Sequence, residues 1–212
     1  MSIVKIQGNA SGTGEFTLAS PNGNTNRTIT LPDATGTLDR TNRAGNVLQV
    51  VHTAKTSTFV GTSVLDNGGL FIDVTGLSAS ITPLLATSKI LIMTTLYMGI
   101  TTSSGGYQQS YRLKRTIGGT VAFPILGDAE GGRPRATGRI NNYSVNQYWM
   151  ALNGGTHYDS PATTSAITYQ VQLGGYASSP VMYLNRSETF QVLANEYDTV
   201  PVSTITLMEI AA

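Results

Sequence analysis

Apolar and polar residues alternate with a period of two along several short stretches of the chain. Ile167-Thr168-Tyr169-Gln170-Val171-Gln172-Leu173 sets Ile, Tyr, Val and Leu on one face and polar groups on the other. That is the pattern of an antiparallel strand with one wet face. Val181–Asn185 and Ile205–Glu209 have the length and composition of further strands. Leu70–Val74 and Lys89–Met93 are denser in apolar residues and predict strands covered on both sides. Gly and Pro punctuate most of the remainder and leave little room for helices. Thr82-Pro83 can open one helical turn through Leu85, but nothing longer. Arg139–Asn153 lacks Gly and Pro, yet Asn141, Asn142 and Asn146 lower its helix propensity, and Tyr143, Val145 and Trp149 share one strand face. It is expected to be a strand or extended loop.

The pattern changes near residue 46. Before it, very short apolar pieces (Ile3/Val4/Ile6, Phe16/Leu18, Ile29/Leu31 and Leu38) are separated by glycines and asparagines. After it, apolar density rises and stays high. Residues 1–46 therefore form an N-terminal segment, and residues 47–212 a β-domain with many short strands between turn signals. The expected class is all-β, an antiparallel β-sandwich or jelly roll preceded by a short-stranded segment. So few apolar side chains cannot offset the ordering of the segment's backbone within one copy. Three copies wound about one axis would pair its strand edges and pool Phe16, Leu18, Ile29, Leu31 and Leu38 in a common core.

Composition narrows the function classes. Only 12% of the 212 residues are charged, about half the usual ~25%, and Thr, Ser, Gly and Asn fill the gap. A net charge of +1 argues against a nucleic-acid binder that relies on many phosphate contacts. The chain has no cysteine, which excludes disulfides, thiolate metal sites and cysteine nucleophiles. The first residues, Met1-Ser2-Ile3-Val4-Lys5-Ile6-Gln7-Gly8, hold no apolar run long enough for a signal peptide. The longest apolar stretch, Ile90–Ile100, is broken by Thr94 and Thr95 and falls short of the ~20 residues a helical membrane span needs. No membrane span is expected.

Glu15-Phe16-Thr17-Leu18-Ala19-Ser20-Pro21 and the stretch from Asn26-Arg27-Thr28-Ile29-Thr30-Leu31-Pro32-Asp33 to Ala34-Thr35-Gly36-Thr37-Leu38 look like the N-terminal module of tail-fiber proteins of marine and cyanobacterial phages. Asn46–Val51, Asp159–Ser165 and Ile205–Ile210 are similar to blocks of their distal domain. The likeness is weakest over residues 100–158. It implies a trimeric virion fiber, joined to other virion proteins (a tail adaptor, nozzle or baseplate) by its N-terminal segment. It implies a distal domain that meets the host surface, with the receptor-binding surface in the least similar stretch. It carries no functional residues across.

Candidate chemistry is sparse. His52 and His157 are the only histidines. His157 and Asp159 can share a strand face, but a zinc site needs at least three protein ligands, so His157 is expected in a surface loop and no metal or other cofactor is expected. Glycoside hydrolysis normally needs two carboxylates facing each other across the bond. Asp128 and Glu130 lie in Gly127-Asp128-Ala129-Glu130-Gly131-Gly132, an exposed turn, so no catalytic residues are expected. No Gly-x-Ser-x-Gly elbow or phosphate-binding glycine loop is present. The four Asn-x-Ser/Thr sequons, at Asn9, Asn26, Asn142 and Asn185, are expected by chance in so Asn- and Thr-rich a chain.

Of the 13 Lys and Arg residues, Arg112, Lys114, Arg115, Arg133, Arg135 and Arg139 crowd residues 112–139. Arg112 and Lys114 alternate with Tyr111 and Leu113, as on the wet face of a strand. Arg133, Arg135 and Arg139 lie in a Gly/Pro-rich loop, where guanidinium groups suit an acidic surface polysaccharide. A solvated loop or an inter-subunit salt bridge is the more ordinary reading of such arginines. Asn141, Asn142, Tyr143 and Trp149 suit a sugar-binding surface, whereas core packing is the usual fate of tryptophan. The function expected is a non-enzymatic phage tail fiber whose distal domain binds host surface polysaccharide. A capsid decoration or head fiber is the alternative within a virion, followed by a polysaccharide depolymerase and a secreted lectin.

Overall fold

The computed structural model describes residues 11–14, 17, 22–26, 28, 43–62, 71–100, 108–141, 148–175, 181–189 and 199–212. The chain divides into two compact units, Met1–Leu38 and Asp39–Ala212. The first unit shows a turn and a bend among its described residues. Phe16, Leu18, Ile29, Leu31 and Leu38 lie outside the described residues, as do Asn142 and Tyr143.

Among its described residues the second unit holds eleven strands and no helix. They are β1 (Val47–Lys55), β2 (Phe59–Thr62), β3 (Phe71–Ile81), β4 (Lys89–Ile100), β5 (Gln108–Ile117), β6 (Thr120–Ala122), β7 (Gly138–Asn141), β8 (Met150–Asp159), β9 (Ile167–Gly175), β10 (Val181–Leu184) and β11 (Ser203–Ile210). Every pairing is antiparallel. In the first sheet, β8 lies along one edge of β4. β11 and β10 follow one another along its other edge, and β1 and β2 flank them in turn. In the second sheet β3 pairs β9, β9 pairs β5, and β7 and β6 share the far edge of β5.

Strands that lie end to end act as single ribbons, which leaves four ribbons per sheet. Numbered along the chain, the first sheet runs 1-8-3-6 and the second 2-7-4-5. This is jelly-roll connectivity, two interlocked Greek keys, and it places the all-β expectation in its sandwich form. Ile90, Ile92, Leu96 and Met98 of β4, Ile205 and Leu207 of β11, Tyr111 and Leu113 of β5, and the Ile167-Tyr169-Val171-Leu173 face of β9 form one core between the sheets. The alternation in 167–173 thus becomes the buried face of a strand whose Thr168 and Gln170 stay half-exposed.

Three sequence expectations are corrected. β4 is not covered on both sides: Ile90 and Ile92 are buried, while Leu91 is half-exposed and Met93 exposed on the outer face of the sheet. In β3, likewise, Val74 is buried but Asp73 is exposed. Residues 84–87 form bends and a turn instead of a helical turn, and Glu209 of β11 holds the N–H groups of Leu84 and Leu85. Its carboxylate accepts from Leu84 N (2.8 Å), Leu85 N (3.2 Å) and Gln49 Nε2 (2.6 Å). Arg139–Asn153 is extended where described, in β7 and the start of β8.

Polar side chains tie the layers at defined points. Gln109 of β5 donates to Tyr183 O of β10 and accepts from Tyr183 N (3.1 and 3.3 Å). Arg115 of β5 forks onto both oxygens of Asp159 of β8 (2.9 and 2.8 Å), and Tyr169 of β9 donates to the same carboxylate (2.6 Å). Burial, reinforced by that carboxylate, pushes the Tyr169 hydroxyl well above its ordinary pKa. Asn185, fully buried and with φ of 58°, stands where β1/β2, β4, β10 and β11 meet. Its amide donates to Lys55 O (2.7 Å) and Ser57 O (3.1 Å) and accepts from Ser203 Oγ (2.6 Å).

Candidate functional site

The outer faces of the two sheets differ in chemistry. On the first, the outward positions of β1, β11, β4 and β8 bring Val50, Met208, Leu91, Tyr158, Met93 and Leu152 to the surface. Val50, Met93, Leu152 and Tyr158 are 55%, 41%, 62% and 61% exposed. Lys89 is the single formal charge among these outward positions. On the second, the outward positions of β5, β7 and β9 carry Arg112, Lys114, Arg139, Gln170 and Gln172. Neighbouring Asp73 of β3 contacts Lys114.

Arg112 is the most constrained of these cations. Its guanidinium carbon lies 4.2 Å from the ring centroid of Phe71 and 3.9 Å from that of Phe123, one aromatic ring from β3 and one from just after β6. Its Nε donates to Gln172 Oε1 (2.6 Å), and Gln172 Nε2 donates to Asp73 Oδ1 (2.7 Å). Burial lowers the Arg112 pKa, and the nearby Asp73 charge opposes part of that shift; the group stays a cation at neutral pH.

The Gly/Pro-rich segment between β6 and β7 folds back beside Arg112. The sequence reads as a flexible loop, but hydrogen bonds close it. Thr137 Oγ1 donates to Ile125 O (2.6 Å), Thr137 N to Tyr111 O (2.9 Å), and Gly127 N to Ala136 O (3.2 Å). Arg135 Nε donates to Gly127 O (2.6 Å). Gly138, which starts β7, lies so close over the Tyr111 ring that a Cβ would stand 2.4 Å from it. Only glycine lets the loop re-enter the sheet there.

Between this loop and the sheet is a depression of about 610 Å³, lined by Arg112, Phe123, Leu126, Gly131, Gly132, Arg133, Pro134 and Arg135. Arg133 is 76% exposed and 3.6 Å from Glu130. A second depression of about 510 Å³ lies between Pro124–Gly127, Thr137 and Thr156–Tyr158. His157 borders it from β8, where it faces inward and is half-buried, not in the surface loop expected. Burial lowers its pKa, and its Nε2 has no hydrogen-bond partner. No carboxylate lines either depression. Asp159, on the same face as His157, is occupied by Arg115 and Tyr169, and no group of three metal-ligating side chains occurs among the described residues.

Of the residues singled out from sequence, Arg133 and Arg135 come together. Arg139 stands apart on β7, donating to Asn141 Oδ1 (2.7 Å), and both are exposed. Trp149 is partly buried and packs against the core. Asp128 and Glu130 are exposed in the loop. Arg112 and Phe123 were missed as site residues. The alternation Tyr111-Arg112-Leu113-Lys114 marks Arg112 as outward, but nothing local marks the two rings that clamp it.

No family model and no curated protein matches the chain. Among solved structures, one titled "Structure of infectious bursal disease virus Gx strain" is similar over 77% of this chain at 12% identity and a TM-score of 0.35. The match spans 41% of that chain. A likeness at that level settles neither family nor function.

Proposed function

We propose that the chain is a non-enzymatic phage tail fiber, a homotrimer whose N-terminal segment joins other virion proteins and whose jelly-roll domain adheres to host surface polysaccharide. The observation that carries the adhesive reading is the arginine-lined depression on the charged sheet face, which has binding donors but no facing carboxylate pair. Jelly rolls serve capsid and lectin roles alike, so the fold accommodates the reading without establishing it. The opposite sheet face supports trimer formation. Exposed apolar side chains cluster there with a single formal charge, so copies of the chain can meet on it without like-charge repulsion. Association through that face leaves the arginine face outward, toward a cell.

Purified full-length protein is expected to bind host cells and compete with virion adsorption while releasing no reducing ends from host polysaccharide. Replacing Arg133, Arg135 and Arg139 together by Gln should weaken adsorption and flatten its salt dependence. Released reducing ends that disappear in Asp128→Asn/Glu130→Gln protein would overturn the non-enzymatic reading.

A further inference from the structure

We propose that the depression beside β5 is a subsite for a single anionic group of an acidic polysaccharide, a uronate carboxylate or a sulfate ester, with Arg112 as its anchor. The inference rests on the adhesive reading and gives it a ligand class and a contact residue absent from the arginine cluster found by sequence. The Arg112 guanidinium carbon lies over the rings of both Phe71 (4.2 Å) and Phe123 (3.9 Å), and Gln172 Oε1 accepts from its Nε (2.6 Å). What remains for a ligand is the edge that carries the terminal N–H groups. These have no acceptor among the described residues, and the side chain lines the depression. An edge-on guanidinium presents two parallel donors, which match two oxygens of one carboxylate or sulfate.

The surroundings complete the chemistry. Arg135 adds positive charge on the loop side, and Arg133, 3.6 Å from Glu130, lines the rim. Arg135 is fixed through its Nε to Gly127 O, which likewise leaves its terminal groups for the ligand. Phe123 and Leu126 provide an apolar wall for the C–H face of a sugar ring, and the volume falls within the ~300–1,000 Å³ typical of small-ligand sites. An anion in the depression would give the solvent-facing terminal donors of Arg112 charge-assisted hydrogen bonds in place of water. The clamp also means that little side-chain entropy is lost on binding.

The test uses full-length protein titrated calorimetrically at low salt with polygalacturonate oligomers, carboxyl-reduced oligomers of equal length, and dextran sulfate. Wild-type protein should bind one or both anionic polymers and not the neutral one; binding to polygalacturonate identifies a carboxylate site and binding to dextran sulfate alone a sulfate site. Arg112→Lys keeps the charge but loses the planar fork, and should bind at least about tenfold more weakly. Arg133→Gln/Arg135→Gln, on the rim, supplies a second variant that leaves the sheet intact and should also weaken binding. Undiminished affinity in Arg112→Lys protein with an unchanged melting curve would overturn the anchor. If Arg112→Lys protein melts early, undiminished binding by the rim variant overturns the subsite instead. Wild-type protein that binds host cells but neither anionic polymer would also overturn the subsite and leave the adhesive reading standing. Failure to bind host cells at all would sink both.

Discussion

Replacing Asn185 by Ala tests whether the split ribbons of the first sheet are held in register from one buried point. The substitution deletes three hydrogen bonds, to Lys55 O, Ser57 O and from Ser203 Oγ, at a site with no solvent access. At a net ~1 kcal/mol per bond the loss is about 3 kcal/mol. Alanine at the native φ of 58° adds about 1 kcal/mol or more, since a left-handed backbone strains any β-carbon that lacks asparagine's local hydrogen bonding. The total, roughly 4 kcal/mol, is a large share of the ~5–15 kcal/mol by which domains are stable. Asn185→Gly removes the same bonds without the φ strain and should fall between alanine and wild type. Urea unfolding at matched protein concentration, followed by the fluorescence of Trp149, the single tryptophan, which packs on the core, gives the readout. With a urea slope of about 2–3 kcal/mol/M the alanine midpoint should drop by roughly 1.3–2 M. A loss below about 1 kcal/mol, against the ~1 kcal/mol expected of each of the three bonds, would refute the view that Asn185 organises the junction.

Three further outcomes follow from the structure. Burial alone would raise the pKa of Glu209, but hydrogen bonds from Gln49 and from the Leu84 and Leu85 N–H groups more than offset it and the net shift is downward. Its contribution is therefore fully present above the ordinary glutamate pKa of ~4.3 and is lost as pH falls through the lower folded value; melting temperatures between pH 5 and pH 3 should fall less steeply in Glu209→Gln than in wild-type protein. Met93→Lys with Leu152→Lys puts two charges on the apolar sheet face; if the proposed trimer forms through that face, the double variant should sediment as a monomer, and persistence of a trimer would rule that face out. Asp159→Asn leaves the partly solvated Arg115 facing a neutral amide and should cost about 1.5–3 kcal/mol, the worth of a hydrogen bond to a charged group; a denaturation midpoint equal to wild type would contradict it.

What the sequence made legible was whatever is local. β9 could be read from 167–173 because its two faces differ and the period is two. The strand order could not, since β4 meets β11 more than a hundred residues away and no local pattern encodes that pairing. The density of Lys89–Met93 was read as burial on both sides within one domain. Leu91 and Met93 instead reach an open sheet face, and apolar density alone does not distinguish a second packed layer from an apolar face left open. At the site, Arg133, Arg135 and Arg139 were grouped by nearness in the chain. The fold keeps the first two, turns Arg139 onto β7, and brings in Arg112, whose clamping rings come from positions 71 and 123. Asn185, one sequon among four by sequence, is a buried structural node and closed to glycosylation in the folded chain.

The central claim is that this chain is a virion fiber mounted on the tail with its jelly-roll domain outermost. Immunogold electron microscopy of intact phage particles, with antibody raised against residues 47–212, tests it most directly. Gold at the distal tips of tail appendages is the predicted result; gold over the capsid, or none on any particle, would contradict it.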